Sequence, residues 1–135
     1  MPSGRTVSVR EDRRLTRSIA VGPHSLTADE PEPLSSDRGP TPGELLLAAL
    51  GSCTSMTVRA YADRHQWPLD RIDVEVGFGA GGQIVKDVRL TGDLESSQSE
   101  RLLAVSERCP VHRLLTGDVT IVTRPTLSPA PEPAR

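Results

Sequence analysis

Two cysteines are the residues of this chain best suited to redox chemistry. The 135-residue sequence holds only Cys53, in an apolar stretch, and Cys109, directly before a proline. A thiolate attacks the O–O bond of a hydroperoxide and becomes a sulfenic acid, and a second thiol can condense with that acid to a disulfide. The two residues lie far apart in the chain, so the fold must bring their Cα atoms within roughly 7 Å. If it does, the pair predicts a two-step thiol cycle.

Such a cycle needs a positive charge, because only the thiolate attacks and a nearby cation favours it. Arginine suits this role since it stays charged when partly buried. The candidates are Arg10, Arg13, Arg14, Arg17 and Arg38. Glu44 could hold one of them by a bidentate pair. The side chains of Leu46, Leu47 and Leu50 predict an apolar pocket, which would favour organic over inorganic peroxides.

The same residues have other interpretations. A free cysteine often does no more than fill space in a core, and Glu44 has a complete explanation as a helix-capping residue. The spacing from Cys109 to His112 fits a pair of zinc ligands, and Cys53 with His24 could complete a set. One such pair is weak evidence, since a structural zinc site normally has four ligands. These alternatives stay open at the level of the residues.

The element that must carry Cys53 is a long helix. Thr41 is a good N-cap, Pro42 suits the first helical position, and Glu44 stands where a capping box needs it. The helix should run from Pro42 to about His65, and its N-terminal half is apolar or small on nearly every side. A helix of that kind is buried. We therefore expect it to cross the middle of the molecule or of a dimer.

The remaining elements complete an α+β fold. Residues 5–28 favour strands, and residues 29–42 form a long loop rich in Pro, Ser and Gly. Downstream, the predicted elements are a hairpin of strands 72–78 and 84–94, a helix from Ser97 to Cys109 with Glu100 at its N3 position, a helical turn over 110–115 closed by Gly117, and a strand over 118–124. Residues 1–124 read as one domain, and we expect the Pro-rich tail 125–135 to be disordered.

The composition and charge of the chain limit the classes of partner that we expect. The net charge is −2 with both signs mixed along the chain, so we expect neither a nucleic-acid nor a membrane-surface partner. The N-terminus lacks the apolar segment of a secretory signal, and the longest apolar run, around residues 45–50, is too short to span a bilayer. We therefore expect a cytoplasmic protein, in a compartment where thiols are kept reduced.

Three segments together resemble the OsmC/Ohr family. Residues 39–57 (GPTPGELLLAALGSCTSMT) are similar to the family's central-helix signature, and residues 61–69 (YADRHQWPL) continue it. Residues 107–113 (ERCPVHR) are similar to the segment that carries the family's second cysteine. The order and spacing of the three blocks fit, and the resemblance covers roughly residues 14–124.

The resemblance implies a swapped, obligate homodimer with two six-stranded, antiparallel-rich sheets around paired central helices. It implies an antioxidant peroxidase of the oxidative stress response, with Cys53 peroxidatic and Cys109 resolving, and with no cofactor or metal. The family's site Glu corresponds to Glu44. Its N-terminal Arg is matched most nearly by Arg13, counted back from Gly22. The implied partners are an organic hydroperoxide and a dithiol reductant, of the dihydrolipoyl type or a small thiol. The alternative is an OsmC-like binding or redox-sensing module without peroxidase turnover.

Overall fold

The computed structural model describes residues 4–131 and has the predicted α+β architecture. The elements are, in chain order, β1 (Val7–Arg13), β2 (Thr16–Val21), β3 (His24–Ala28), α1 (Pro42–Arg64), β4 (Leu69–Phe78), β5 (Ile84–Gly92), α2 (Ser96–Ser106) and α3 (Pro110–Thr116). The strands form two antiparallel sheets within the chain, one of order β1-β2-β3 and one of β4-β5. The strands predicted over residues 5–28 and the hairpin predicted downstream are confirmed.

The N-terminal sheet carries an apolar row on one face. Val9 pairs with Ile19, and Ile19 pairs with Leu26, so these three side chains lie side by side across the strands. Ile19 is buried, whereas Val9 is 59% exposed and Leu26 is 50% exposed. The single chain therefore leaves most of this row uncovered.

Asp29 organises the loop that joins β3 to α1. Its buried carboxylate accepts hydrogen bonds from the Thr16 hydroxyl at 3.0 Å and from the backbone amides of Arg38 at 3.0 Å and Glu30 at 2.8 Å. A hydrogen bond from the Ser35 side chain, together with these three, lowers the pKa of Asp29 from 3.8 to about 2 against the opposing effect of burial. The loop is thus folded around one carboxylate.

Helix α1 begins as the sequence predicts. The Glu44 amide donates to the Thr41 hydroxyl at 3.1 Å, and the Thr41 amide donates to the Glu44 carboxylate at 2.8 Å, which completes a capping box. The helix ends at Arg64, just before Gln66 takes a positive φ of 56°. Its buried residues form one stripe with a spacing of four: Leu50, Thr54, Val58 and Ala62.

Burial of the N-terminal half of α1 on all sides does not occur within one chain. Met56, which lies off the buried stripe, is 70% exposed. The helix is long and apolar enough to meet the length and composition of a membrane span, but a helix covered by protein has the same properties. The uncovered faces leave room for the dimer arrangement that was the other expectation.

The core lies where α1 packs on the β4-β5 hairpin and on α2. Its buried members are Val58, Ala62, Leu69, Leu102 and Val105. A Cβ atom at Gly51 would lie only 3.2 Å from Cγ2 of Val76, so glycine lets the helix approach β4 closely. This close approach occurs two residues before Cys53 and sets the distance between that part of the helix and the hairpin.

Two predictions about the C-terminal elements are wrong in detail. Helix α2 ends at Ser106, so Cys109 is not its last residue but the N-cap of α3. Its capping box is Glu95 with Gln98 rather than Ser97 with Glu100, because the Glu95 amide donates to the Gln98 side chain at 3.0 Å. The short helix closed by Gly117 is confirmed as α3.

The strand predicted over residues 118–124 is absent. The described residues from 118 to 131 have neither helix nor strand, and Ile121 is 85% exposed. A strand needs a neighbour for its backbone hydrogen bonds, and this segment pairs with neither sheet of its own chain. The tail residues 132–135 lie outside the described part. The six-stranded sheets are a property of a dimer and stay a prediction.

Candidate active site

Cys109 is held in a hydrogen-bonding cage at the start of α3. As the N-cap residue, its Sγ atom accepts a hydrogen bond from the backbone amide of His112 at 3.3 Å. The hydroxyl of Thr54 on α1 lies 3.4 Å from the same sulfur. The side chain is fully buried. Residues after Ser106 therefore turn so that a sulfur atom faces the middle of α1.

Cys53 lies beside Cys109. It precedes Thr54 on α1, is partly exposed, and is near enough to Cys109 to help lower the pKa of that thiol. Both cysteines are free thiols in this structure. The fold thus brings together two residues that are remote in sequence, one reachable from solvent and one enclosed.

Lys86 on β5 completes the cluster. Its Nζ atom donates to Thr54 Oγ1 at 3.0 Å, to the Ser106 carbonyl at 2.8 Å and to His112 Nδ1 at 2.9 Å. Acceptance at Nδ1 requires the neutral imidazole tautomer protonated on Nε2. One ammonium group therefore ties the hairpin to all three helices next to the two sulfur atoms.

The sequence did not single out Lys86. The residues next to it in the hairpin do not show which parts of the helices it will contact in the folded chain. One signal was available in the composition. Lys86 is the only lysine among the 16 lysine and arginine residues of the chain. A chain that otherwise uses arginine for every basic position has a compact ammonium only here, where three converging acceptors fit its three donors.

The surroundings favour the thiolate form of Cys109. Burial by itself raises the pKa of this thiol, because it disfavours the charged form. Hydrogen bonds from the Thr54 side chain, the His112 amide and the Cys53 thiol, together with the positive charge of Lys86, outweigh burial and hold the pKa of Cys109 below its ordinary value. An enclosed thiol of this kind can act as a nucleophile toward an oxidised neighbour.

Glu44 lies in the first turn of α1 and is not part of this cluster. Its carboxylate is occupied by the capping box, and it lines a hollow of about 490 Å³ with Leu47, Gly51 and Ser52 against β4. Ser52 adjoins Cys53, so the hollow reaches the helix segment that carries the first thiol. Glu44 is near the cysteine segment, but it forms no ion pair with an arginine in the described residues.

Arg13 lies in a different part of the structure from the two cysteines. It is on β1 and lines a hollow of about 340 Å³ with Arg14, Thr16 and the loop residues 33–36. Within residues 4–131 no hydrogen bond or ion pair joins Arg13 to Cys53 or Glu44. The fold of one chain thus unites Cys53 and Cys109 but not Arg13, whose role stays a prediction for the assembled protein.

A groove opens beside Lys86 and His112. It has a volume of about 310 Å³ and is lined by Leu50, Gly82, Ile84, Lys86, His112, Leu115 and Thr116. Of the three leucines predicted to line a single pocket, Leu50 lines this groove, Leu47 lines the hollow near Glu44, and Leu46 is exposed. The apolar lining is therefore divided between two sides of α1.

The zinc interpretation gains no support from the geometry. No group of three or more His, Cys, Asp or Glu side chains in the described residues is placed to hold a metal ion. His112 offers its Nδ1 atom to Lys86, and an ammonium at that distance repels a second cation. His24 is on β3, in the other sheet.

Comparison with known proteins agrees with the fold. A solved OsmC-like protein from Mycoplasma pneumoniae is 17% identical, with a TM-score of 0.75, covering 87% of this chain and 90% of that chain. An organic hydroperoxide resistance protein OsmC from Legionella pneumophila is 19% identical, with a TM-score of 0.58, covering 85% and 90%. OhrB of Bacillus subtilis, an organic hydroperoxide resistance protein, is 21% identical, with a TM-score of 0.54, covering 86% and 93%.

These identities are low, so the structural likeness shows the fold alone. The comparison with curated proteins gave no match. A family model described as OsmC-like protein, however, matches residues 35–124, from the loop before α1 through both cysteines. The match covers most of the sequence and confirms the resemblance seen in the motifs: this chain belongs to the OsmC-like protein family.

Proposed function

We propose that this protein is a thiol-dependent peroxidase that reduces organic hydroperoxides through a disulfide cycle between Cys53 and Cys109. The observation that carries the proposal is the contact between a partly exposed thiol and a buried one of lowered pKa. Family membership adds support, since two relatives of the same fold are named as organic hydroperoxide resistance proteins. We propose the reducing cytoplasm as the compartment, because the cycle must start from free thiols.

The first step consumes the peroxide. The thiolate of Cys53 attacks the terminal oxygen of ROOH, an S–O bond forms, the O–O bond breaks, and the alkoxide leaves and takes up a proton to give ROH. Cys53 is now a sulfenic acid, oxidised by two electrons. Its partial exposure suits it to this step, because the peroxide must reach the sulfur.

The second step uses the buried partner. The thiolate of Cys109 attacks the sulfur of the Cys53 sulfenic acid, the S–S bond forms, and hydroxide leaves and is protonated to water. A dithiol such as dihydrolipoamide then reduces the disulfide by exchange and leaves both thiols free. The sum is ROOH plus dithiol giving ROH, water and the oxidised dithiol.

We propose that the working form is a homodimer. Its support is the apolar surface that one chain leaves open: the Val9–Leu26 row, Met56 on α1, and Ile121 in the unpaired segment. Apolar side chains left exposed on several elements are what a partner subunit would cover. In the dimer, Glu44 and Arg13 are proposed to complete the site, with the carboxylate holding the guanidinium near Cys53.

The alternative is a binding or redox-sensing module without turnover. The groove of about 310 Å³ beside His112 and Leu115 favours it, because a small apolar ligand could occupy that space. Mass spectrometry of the native protein for a bound ligand or thiol adduct discriminates the two functions.

The peroxidase proposal is tested by consumption of cumene hydroperoxide with dihydrolipoamide as reductant. Wild type is expected to turn over and Cys53→Ser to be inactive. Wild type that consumes no peroxide, with both thiols verified as free, refutes the proposal.

A further inference from the structure

Lys86 is held so that its donors are fully used. Its three hydrogen bonds go to the Thr54 hydroxyl, the Ser106 carbonyl and the His112 ring, at 2.8 to 3.0 Å. An ammonium has three N–H donors, so none is left over for a ligand. The group therefore acts where it is, as a fixed charge.

That charge has no paired carboxylate. All three acceptors are neutral, and in the described part of the chain no aspartate or glutamate forms an ion pair with Lys86. A partly buried charge normally has an opposite charge close by. The groups nearby that can supply one are, in order of their effect on the pKa of Lys86, the thiolate of Cys109, the carboxylate of Glu107 and the thiolate of Cys53.

The directions of the hydrogen bonds also favour a thiolate at Cys109. Because Thr54 Oγ1 accepts from Lys86, its own hydrogen is available for the Sγ atom of Cys109, 3.4 Å away. The His112 amide also donates to that sulfur. A sulfur atom that faces two donors is arranged as an acceptor, which is the arrangement that a thiolate requires.

We propose that Lys86 is the positive charge that stabilises the thiolate of the Cys53–Cys109 pair, acting through space and through the Thr54 hydroxyl. Lys86 is a positioning residue in this scheme, since it touches neither substrate nor reacting atom. The inference rests on the proposed function for its biological meaning, but its physical content is independent of turnover. It supplies within one chain a positive charge beside the thiols, in addition to the one proposed for Arg13 in the dimer.

The groups that face this cluster define the expected pH behaviour. They are Cys53 and Thr54 from α1, Glu107 and Cys109 from the α2–α3 junction, and His112 from α3. Desolvation lowers the pKa of Lys86, and the charges of Cys109, Glu107 and Cys53 oppose that shift. Lysine and thiol must therefore influence each other equally: removal of either charge shifts the other titration.

The first test compares thiol titrations. The ¹³Cβ chemical shift of each cysteine is followed against pH by NMR in wild type and Lys86→Met, which keeps the length of the side chain and removes the charge. We expect the titration midpoint of Cys109 to rise by about one pH unit, and this readout needs no reagent to reach the buried thiol.

The matched control is Arg89→Met. Arg89 is on the same strand as Lys86, but it is exposed and lies near Asp73 on the outer face of the hairpin. Its replacement removes one positive charge from the protein without touching the cluster. A midpoint in Lys86→Met that shifts no more than in Arg89→Met overturns the proposal.

The second test needs no substitution at Lys86 and covers the case in which Lys86→Met fails to fold. Since Lys86 is the only lysine, protein labelled with ¹³C/¹⁵N-lysine gives one side-chain ammonium signal. Its chemical shift should show a step at the pH where the thiol ionises, and the lysine pKa should fall in Cys109→Ser. Identical lysine titrations in wild type and Cys109→Ser overturn the proposal.

These readouts separate the inference from the peroxidase proposal. Coupled thiol and lysine titrations in a protein that consumes no peroxide would leave the role of Lys86 intact and refute only the proposed activity. Uncoupled titrations in an active peroxidase would do the reverse.

Discussion

The hydroxyl oxygen of Thr54 lies 3.4 Å from the sulfur of Cys109. This contact joins the middle of α1, one residue after Cys53, to the N-cap of α3. It sets the two thiols at one place in the fold and gives the buried sulfur a hydrogen-bond donor. The proposed chemistry depends on this junction more than on any single element.

Thr54→Val is therefore expected to raise the pKa of Cys109 while preserving side-chain volume. A hydrogen bond to a charged group is worth about 1.5 kcal/mol, so the titration midpoint of Cys109, read from its ¹³Cβ chemical shift, should rise by roughly one pH unit. Thr54→Ser keeps the hydroxyl and is the control. Equal titration midpoints in the valine and serine variants would show that the hydroxyl does not stabilise the thiolate.

Asp29 gives a pH-dependent prediction for the loop before α1. Its pKa is lowered in the folded chain, from 3.8 to about 2, with the Ser35 hydrogen bond as the largest cause. The stabilisation is therefore complete above about pH 4 and is lost as the pH falls toward 2. Asp29→Asn should lower the urea midpoint at pH 7 and remove this part of the acid dependence. Urea unfolding curves for both proteins between pH 7 and pH 2 measure it, and parallel curves would contradict the assignment.

The uncovered apolar row predicts an effect on assembly. Leu26→Asp places a charge beside Ile19 on that face and should shift a dimer toward monomer. Ser25→Asp, on the neighbouring residue whose side chain points to the opposite face of the sheet, is the matched control. Sedimentation velocity over a range of concentrations reads the outcome. A wild-type chain that is monomeric at all of them would refute the dimer proposal directly.

The local signals in the sequence predict much of the fold. Thr41, Pro42 and Glu44 define the start of α1 because a capping box is a contact between residues three apart. The hairpin follows from alternating apolar residues around a glycine-rich turn. Local signals do not predict whether residues 118–124 form a strand, because strand propensity is realised only when another strand is available as a partner.

The residues of the candidate site also differ in how far the sequence predicts them. The two cysteines stand out by their chemistry and by the family motif around them. Lys86 does not, since its three acceptors come from α1, α2 and α3, and only the assembled chain brings those carbonyl, hydroxyl and ring atoms to one point. Arg13 shows the converse: an arginine of suitable type is not near the thiols merely because the sequence supplies it.

The central claim is that Cys109 closes a disulfide onto oxidised Cys53, and trapping of the intermediate tests it most directly. Cys109→Ser is treated with one equivalent of cumene hydroperoxide and then with dimedone, which labels sulfenic acids, and Cys53 is analysed by mass spectrometry beside wild type and Cys53→Ser. The account predicts a dimedone adduct on Cys53 in Cys109→Ser and an intramolecular Cys53–Cys109 disulfide in wild type. Unmodified Cys53 in Cys109→Ser would contradict it, as would wild type that consumes the peroxide without forming this disulfide.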